Sequence, residues 1–540
     1  MRRALAAVAT ALLLFAPGPP ALFPGAEWLV LPGWMAFYAL SSRGRPWAAY
    51  GAGVLHVLLF SASLRHVVWA GWLLIGTVGG LYSLGIALAL RGLRRLGPPA
   101  FGLALAGAHW LRASMPEIPY PHVQPCHALA GHPWILGPVC WGGEAFANFL
   151  IGVLAATLVD LFRGWRLAEV SLRVRLSFLA GALAVWALAS PRAAPTEGEL
   201  DVLAVEPGLH PTDPYEGAGE AEVRRRMLAL FRERLLEPTL RAAGPGAAHP
   251  PALVLWPESS MPGAAVEERD GKRSFAALEG LQLAPSVRLC LGADAAREGT
   301  GRFSPAAVLL DARGAYLAHQ EKRVLVPVGE RLPFLDLLPP AVSARLRAWV
   351  EGAMGSLPDA VEGRSLPLLE AAPGVFFGAL LCFDNAFPEV AAAEVLEGAR
   401  LLVVLSNEAW YRGGSERDQL AAMTVIRALE TGTPVVRCTT DGLSMAVAGD
   451  GRVLAALPDR PAPAPAARTL RISVPLGSGN RARDLPLAWL HPGARRIAGL
   501  AFLLGILHEL LAWARLHAVR AKSTPTARGR SPKTAGGGGS

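Results

Sequence analysis

Cysteine is too scarce to hold this chain together. Five cysteines in 540 residues exclude a disulfide framework, and their spacings match no structural zinc site. Charge is scarce as well: Asp, Glu, Lys and Arg make up 18% of the residues, against roughly 25% in ordinary globular chains, while apolar residues reach 52%. The net charge of +9 is not laid out as a basic stripe interleaved with aromatics, which argues against a nucleic-acid partner. Its arginines gather instead at the ends of apolar segments, where they fix membrane topology. The opening does not read as a cleaved secretory leader either. Arg2, Arg3 and the short apolar run 4–17 lead into Pro17-Gly18-Pro19-Pro20 rather than a small-residue cleavage site, and a second apolar run starts at once.

Apolar residues dominate positions 4–190, thin out over 191–490 and return at 495–515. A bilayer core needs about 20 apolar residues per helix. The candidate spans are 4–17, 22–41, 47–65, 68–90, 99–114, 143–162, 174–190 and 496–515, with 4–41 read as two short helices joined by a tight turn. Basic clusters test that count. Arg2/Arg3, Arg43/Arg45, Arg91/Arg94/Arg95 and Arg163/Arg166/Arg173/Arg175 fall in alternate gaps, a basic tail follows the last span, and Arg65 and Arg192 stand singly on the other side. Eight spans put every basic cluster on the cytoplasmic side and the long insert outside; seven would scatter them over both faces. The expected organisation is a membrane part at 1–192, an extracytoplasmic domain at 193–492, a closing span at 493–518 and a disordered tail at 519–540.

Within the insert, strand-like runs (Leu200–Val205, Leu253–Trp256, Val287–Leu291, Val308–Leu310, Val375–Leu381, Leu401–Leu405, Val435–Val436, Met445–Ala448) alternate with helical patterns at 219–240, 388–398 and 416–431. That alternation predicts a layered α/β domain. Stretches 241–251 and 457–468, rich in Pro, Ala and Gly, read as loops. Cys290 and Cys438 lie in apolar runs and read as small buried side chains, and Cys126 and Cys140 share one loop, where an oxidising compartment would let them pair.

Three apolar runs end in a reactive side chain. Glu258 follows Leu253-Val-Leu-Trp256-Pro257; by itself it could cap a helix. Lys322 precedes Arg323-Val-Leu-Val-Pro327-Val-Gly329-Glu330, and a lone lysine is usually solvated. Cys382 closes Gly378-Ala-Leu-Leu and opens Phe383-Asp384-Asn385, where the amides of a following helix would favour a thiolate, although a buried structural cysteine is the commoner case.

Together these segments resemble the three catalytic motifs of the nitrilase superfamily: a Glu in a Pro-Glu context after a strand, a Lys before Pro-x-Gly-Glu, and a Cys at a strand end, in that order and about sixty residues apart. Spans framing such a domain are similar to one branch, the apolipoprotein N-acyltransferases. Leu405-Ser-Asn407-Glu408-Ala409-Trp410-Tyr411, Gln419 to Glu430 and Val436-Arg437-Cys-Thr-Thr-Asp441-Gly442 extend the resemblance over about 200–480. Departures are Phe383-Asp384 for the family's Tyr-Glu, Glu408 for its Asp, Asp441-Gly442 for its Asn-x-Gly, and Glu206-Pro207-Gly208 for a Gln-Gly-Asn-like stretch with its following Trp.

The resemblance implies an αββα sandwich beside a bundle of about eight spans, and an inner-membrane enzyme with its domain in the periplasm. It would be a monomer without cofactor or metal, taking acyl chains from phospholipid to diacylated apolipoproteins. It implies Glu258 as general base, Lys322 at the oxyanion and Cys382 as nucleophile. Glu330, Phe383 and Asp384 support them, and Asn407, Trp410 and Asp441 are candidates to contact substrate. A membrane-anchored amidase and a paralogue with altered acceptor or lost activity are the alternatives. Four further features fall outside that frame. Leu332–Pro339 with Trp349 reads either as a membrane-dipping arm or as a loop on the domain's own core. His122, Cys126, His127 and His132 crowd one loop without a known metal spacing. Glu144 and Asn148, beside a span, either face headgroups or satisfy each other. Arg427 and Glu430, three apart on a helix, predict a structural pair.

Overall fold

The structure, a computed structural model, describes every residue except 1, 163–170, 192–194, 210–219, 262, 298–300, 355–357, 364–366, 413, 459–465, 480–488 and 524–540. Arg163, Arg166, Arg192, most of the 457–468 loop and most of the tail therefore lie outside the described residues.

Among the described residues, each candidate span overlaps an apolar helix: α1 (Arg2–Phe15), α2 (Val30–Ser42), α3 (Pro46–Phe60), α4 (Leu64–Gly92), α5 (Pro99–Ala113), α6 (Gly137–Phe162), α7 (Leu172–Leu188) and the last helix, α13 (His491–Ser523). Among the described residues, three segments, Trp69–Gly92, Gly137–Phe162 and His491–Arg515, are long and apolar enough to cross a membrane by themselves. The link from α1 to α2 is longer than the expected tight turn and includes a 3-10 turn at Ala26–Leu29. Small residues let the helices close up. A Cβ on Gly92 would sit 2.0 Å from the carbonyl oxygen of Gly505, so α4 and α13 touch backbone to backbone.

Between α7 and α13 lies an α/β sandwich. Its strands are β1 (Thr196–Glu206), β2 (Leu253–Trp256), β3 (Ala265–Arg269), β4 (Lys272–Ser274), β5 (Arg288–Ala296), β6 (Phe303–Leu310), β7 (Tyr316–Glu321), β8 (Leu369–Ala372), β9 (Val375–Leu381), β10 (Leu401–Ser406), β11 (Val435–Thr439), β12 (Met445–Val447), β13 (Val453–Ala456) and β14 (Arg468–Gly477). One sheet holds β14-β1-β2-β5-β3-β4, with β6 and β7 continuing from β5; the other runs β13-β12-β11-β10-β9-β8. Alternate residues of β1, β2, β9, β10 and β11 interleave between the sheets as one apolar layer, including Val202, Leu255, Ala379, Val403 and Cys438. The outer face of the first sheet is covered by α8 (Glu220–Phe231) and α9 (Glu237–Ala243), and that of the second by α11 (Pro388–Leu396) and α12 (Ser415–Thr431). The helix α10 (Pro340–Met354) lies beyond the loop that follows Lys322.

The second sheet's outer core does not stop at α12. Leu420, Val425 and Leu429 share one continuous cluster with Ala147 and Ile151 of α6 and Phe101 of α5, so the domain is seated on the helical part by a buried seam. Charges cross it. Arg427, with no exposed side-chain surface, reaches Glu144 at 2.9 Å and Glu430 at 3.0 Å, and the Glu144 N–H donates to Glu430 Oε1. The chain can present that N–H because α6 kinks at Gly143, whose φ of 68° suits glycine. The Arg427–Glu430 pair thus exists as expected, and it is also half of a link to the membrane part. Glu144 and Asn148 do not satisfy each other: Glu144 meets His127 and Arg427, and Asn148 meets Gln124 and the Cys126 N–H. His132 pairs separately with Glu27. Cys126 and Cys140 are not joined in a disulfide, contrary to the pairing offered for them. Removing Arg427 strands two buried carboxylates, so Arg427→Met should cost about 3–5 kcal/mol. A lowered unfolding midpoint of the detergent-solubilised protein is the readout.

The 332–339 segment divides the two readings offered for it. Leu335 is buried, whereas Leu337 is 79% exposed and Trp349, on α10, 70%.

Candidate active site

The sandwich brings strand ends from both sheets to one edge. β2 and the parallel pair β9–β10 deliver Glu258, Cys382 and Asn407, and β7 delivers Lys322. Each is fixed locally. Pro257 ends β2, and the Trp256 indole is held in the core by donating to Thr239. Gly292 on β5 lies directly behind Glu258: a Cβ there would be 2.4 Å from the Glu258 Cα, so only glycine lets the two strands close up. The Lys322 N–H donates to the Pro305 carbonyl and its own carbonyl accepts from Gly363, both at 2.7 Å. Cys382 has φ = 47°, a left-handed conformation that a non-glycine residue enters at a cost. The turn it starts, Cys382–Ala386, is 3-10. That strained turn swings the thiol off the strand end, as a nucleophile elbow does.

At the centre is an ammonium with no solvent contact. Lys322 Nζ donates to Glu258 Oε1 at 2.9 Å and to Glu330 Oε1 at 2.6 Å, with none of its side chain exposed. Glu330 is held in turn by the Val326 N–H on its other oxygen, at 2.7 Å. The second Glu258 oxygen accepts from the Asn407 N–H at 3.2 Å. Burial opposes the charge on Lys322, but the two carboxylates outweigh it and raise the ammonium well above its usual range, so it stays charged. Burial raises Glu330, partly offset by that same ammonium.

The sulfur is held as a thiol. Burial, then the negative charge of Glu258, push the Cys382 thiol up to about 12, against Lys322 and the hydroxyl of Ser406, which pull it down. At neutral pH the sulfur holds its proton. The help that the amides of a following helix would give a thiolate is small here, because the cysteine is buried at the start of a short 3-10 turn.

Asp384 staples two segments together, accepting the N–H groups of Arg323, Val324 and Leu381; burial pushes its carboxyl up to about 7. The Phe383 ring packs edge-on to Phe387 and stacks near His122, which reaches in from the α5–α6 connection. Asn407 contributes its backbone to Glu258, and among the described residues its side-chain carbonyl has no hydrogen-bond partner. Trp410 is 45% exposed, whereas Asp441 is buried in the β11–β12 turn. Beside Asp441, Thr440 donates to the Glu258 carbonyl at 3.3 Å. Sequence reasoning passed over Asp294, whose carboxyl feels Glu258 and Glu330; it also passed over Tyr411, close enough to feel Cys382, and over Ser406. Ser406 and Tyr411 stood inside a segment already singled out, but Asp294 in a strand carried no signal.

Two facing sheets, each backed by helices, define the class of protein. Residues 232–462 match the carbon-nitrogen hydrolase family. Among solved structures, an amidase from Nesterenkonia sp. aligns at a TM-score of 0.32 and 19% identity, over 54% of this chain and 95% of that one. Similar curated proteins are the apolipoprotein N-acyltransferases of Geobacter metallireducens (31% identical, over 49% of this chain and 48% of that protein) and Gloeobacter violaceus (27%, over 83% and 84%). That of Rhizobium leguminosarum is 26% identical over 84% of this chain and 88% of its own. Over most of its length the chain is thus similar to proteins named apolipoprotein N-acyltransferase.

Proposed function

We propose that this chain moves an acyl chain from a membrane phospholipid to the N-terminal amine of diacylglyceryl-cysteine on apolipoproteins, through a thioester on Cys382. The observation that carries this reading is the fully buried Lys322 ammonium gripped by Glu258 and Glu330 beside a thiol on a strained turn. Glu258 takes the thiol proton as the sulfur attacks the ester carbonyl, and returns it to the departing lysophospholipid oxygen. Lys322, with the Phe383 N–H as second donor, stabilises the oxyanion, and Glu330 holds Lys322 in place. In the second half-reaction Glu258 deprotonates the attacking amine and the sulfur leaves as thiolate. The unpartnered side-chain carbonyl of Asn407 is suited to accept an N–H from that amine. Trp410 stands at the rim as a contact for either substrate, and Asp441 acts from behind through the turn it shares with Thr440. No cofactor is needed, and one chain carries every group.

Both substrates are anchored in lipid, each buried methylene holding them with about 0.8 kcal/mol, so the site must reach the bilayer surface. We take 193–492 as the catalytic domain and the eight helices in 1–192 and 493–518 as spans, with 519–540 as a cytoplasmic tail, in an inner membrane with the domain in the periplasm. Support for alternating spans comes from the helix ends. The end of α3 (Phe60) and the starts of α6 (Glu144) and α13 (Arg495) contact the domain, whereas the basic end of α4 (Arg91) pairs with Glu509 far along α13. Leu337 and Trp349 form the membrane-dipping arm. Leu337→Asp with Trp349→Asp should slow transfer from bilayer phospholipid by about 10-fold or more, at ~1.5–3 kcal/mol per buried apolar side chain, while sparing a short soluble ester. Equal losses on both substrates would refute the arm.

The function is tested in liposomes with phospholipid and a diacylated lipopeptide. N-acylated lipopeptide and lysophospholipid should form in equal amounts. Release of free fatty acid without acylated peptide would make the chain a membrane-anchored hydrolase.

A further inference from the structure

The register of the second sheet sets a hydroxyl beside the sulfur. Leu381 pairs with Leu405 across the parallel strands β9 and β10, and Ser406 pairs with Thr439 of β11. The next positions, Cys382 and Ser406, are therefore neighbours on strands about 4.8 Å apart. Ser406 is fully buried, and so are the groups beyond it. Its hydroxyl donates to Glu408 Oε1 at 3.0 Å, and the same oxygen is paired with Arg437. Arg437 reaches Thr424 at 3.3 Å, and Thr424 accepts at 3.1 Å from Asn385, which lies on the turn begun by Cys382. The chain of contacts thus returns to the nucleophile's own turn. Gly442 leaves room for it, since a Cβ there would stand 2.1 Å from Glu408 Oε2 and displace that carboxylate.

A serine hydroxyl has one hydrogen and two neighbours that want it. We infer that Ser406 is a catalytic residue for the proposed reaction: its hydroxyl hydrogen points to Glu408 while Cys382 is a thiol or thioester and turns to the sulfur whenever Cys382 is a thiolate. Glu408 and Arg437 are positioning residues that hold the hydroxyl in reach. Balance is simple. The thiol proton goes to the Glu258 carboxylate, Ser406 keeps its own hydrogen, and no other bond changes. The stabilised species occurs twice per cycle, as attacking group in the first half-reaction and as leaving group in the second. In agreement, Ser406 is among the groups that oppose the upward push on the thiol, and the Arg437 charge faces the same sulfur. Lys322 and Glu258 face it from the other sheet, so the hydroxyl supplies donation on the side they leave uncovered.

This inference rests on Cys382 being the nucleophile, and its test needs no acyl substrate. In the full-length detergent-solubilised chain, the rate of Cys382 alkylation by iodoacetamide is followed against pH by mass spectrometry. Ser406→Ala should alkylate about tenfold more slowly at neutral pH and throughout the range in which the protein stays folded, the scale of a hydrogen bond to a charged group. Ser406→Thr, which keeps the hydroxyl, should stay near wild type. Should the alanine variant fail to fold, Ser406→Val against the isosteric Ser406→Thr gives the same comparison. An unchanged rate in the variants lacking the hydroxyl would overturn the inference while leaving the acyl-transfer reading intact. Failure of the acyl-transfer reading shows separately, as activity retained by Cys382→Ala.

Discussion

Cys382→Ala in the full-length liposome-embedded protein is expected to abolish N-acylation of a diacylated lipopeptide, and with phospholipid alone no acyl adduct should form. The expected loss is large, about 10⁶-fold where a nucleophile acts as part of a unit. Glu258 and Lys322 have no second nucleophile to serve. Cys290 and Cys438 are buried within the apolar layer between the sheets, and Cys126 belongs to the core cluster at the seam. The intact protein supplies a positive control: mass spectrometry after incubation with phospholipid should find one acyl group, on Cys382. Cys382→Ser should also fail, because a hydroxyl ionises less readily than a thiol that burial has already pushed up to about 12. Substantial N-acylation by Cys382→Ala would remove the thioester from the mechanism. Ordinary folding of the variant should accompany the loss, since alanine is tolerated at a buried site that loses only a sulfur.

The same cysteine shows what the sequence could and could not convey. Its place at a strand end was legible because Gly378-Ala-Leu-Leu is an apolar run that stops at Cys382; so were β2 and β9, whose boundaries match the runs Leu253–Trp256 and Val375–Leu381. Its protonation state was not legible. That depends on burial and on Glu258, 124 positions earlier in the chain. The grip of Glu330 on Lys322 was half visible, since the two lie eight residues apart, but the Asn407 N–H on Glu258 comes from another sheet. Missed strands failed for local reasons. In β14, Arg468, Arg471 and Pro475 interrupt the apolar pattern, and an edge strand tolerates both charge and a residue without N–H. Strand β7, Tyr316-Leu-Ala-His-Gln-Glu, has too few apolar residues to announce itself, although it delivers Lys322. The seam was invisible because Glu144 and Arg427 are 283 positions apart, and each by itself reads as an ordinary polar residue.

Lys322→Met should cost about 10³-fold or more in acyl transfer and several kcal/mol in stability, and the two losses should be separable. Methionine fills the channel of the buried lysine stem, so the change is mainly of charge. Without the ammonium, Glu258 and Glu330 lose the cation between them, and burial then favours one shared proton over two charges. Glu258 is thereby spoiled as a base at neutral pH, and losing an oxyanion donor by itself typically costs about 10²–10³. Stability falls by about 3–5 kcal/mol, as for a buried pair broken on one side. The pH dependence gives the cause away. A carboxyl raised in the folded state binds more protons there than when unfolded, so the variant should be most stable at acid pH and lose stability as pH rises through the raised value. In the wild type the raised Lys322 acts at the alkaline end, its stabilisation being lost only above the usual lysine range. Adding Glu330→Gln should restore much of the stability, since a single carboxylate then remains, but none of the activity. Lys322→Met with near wild-type transfer would show that the oxyanion is stabilised elsewhere, whatever its melting curve.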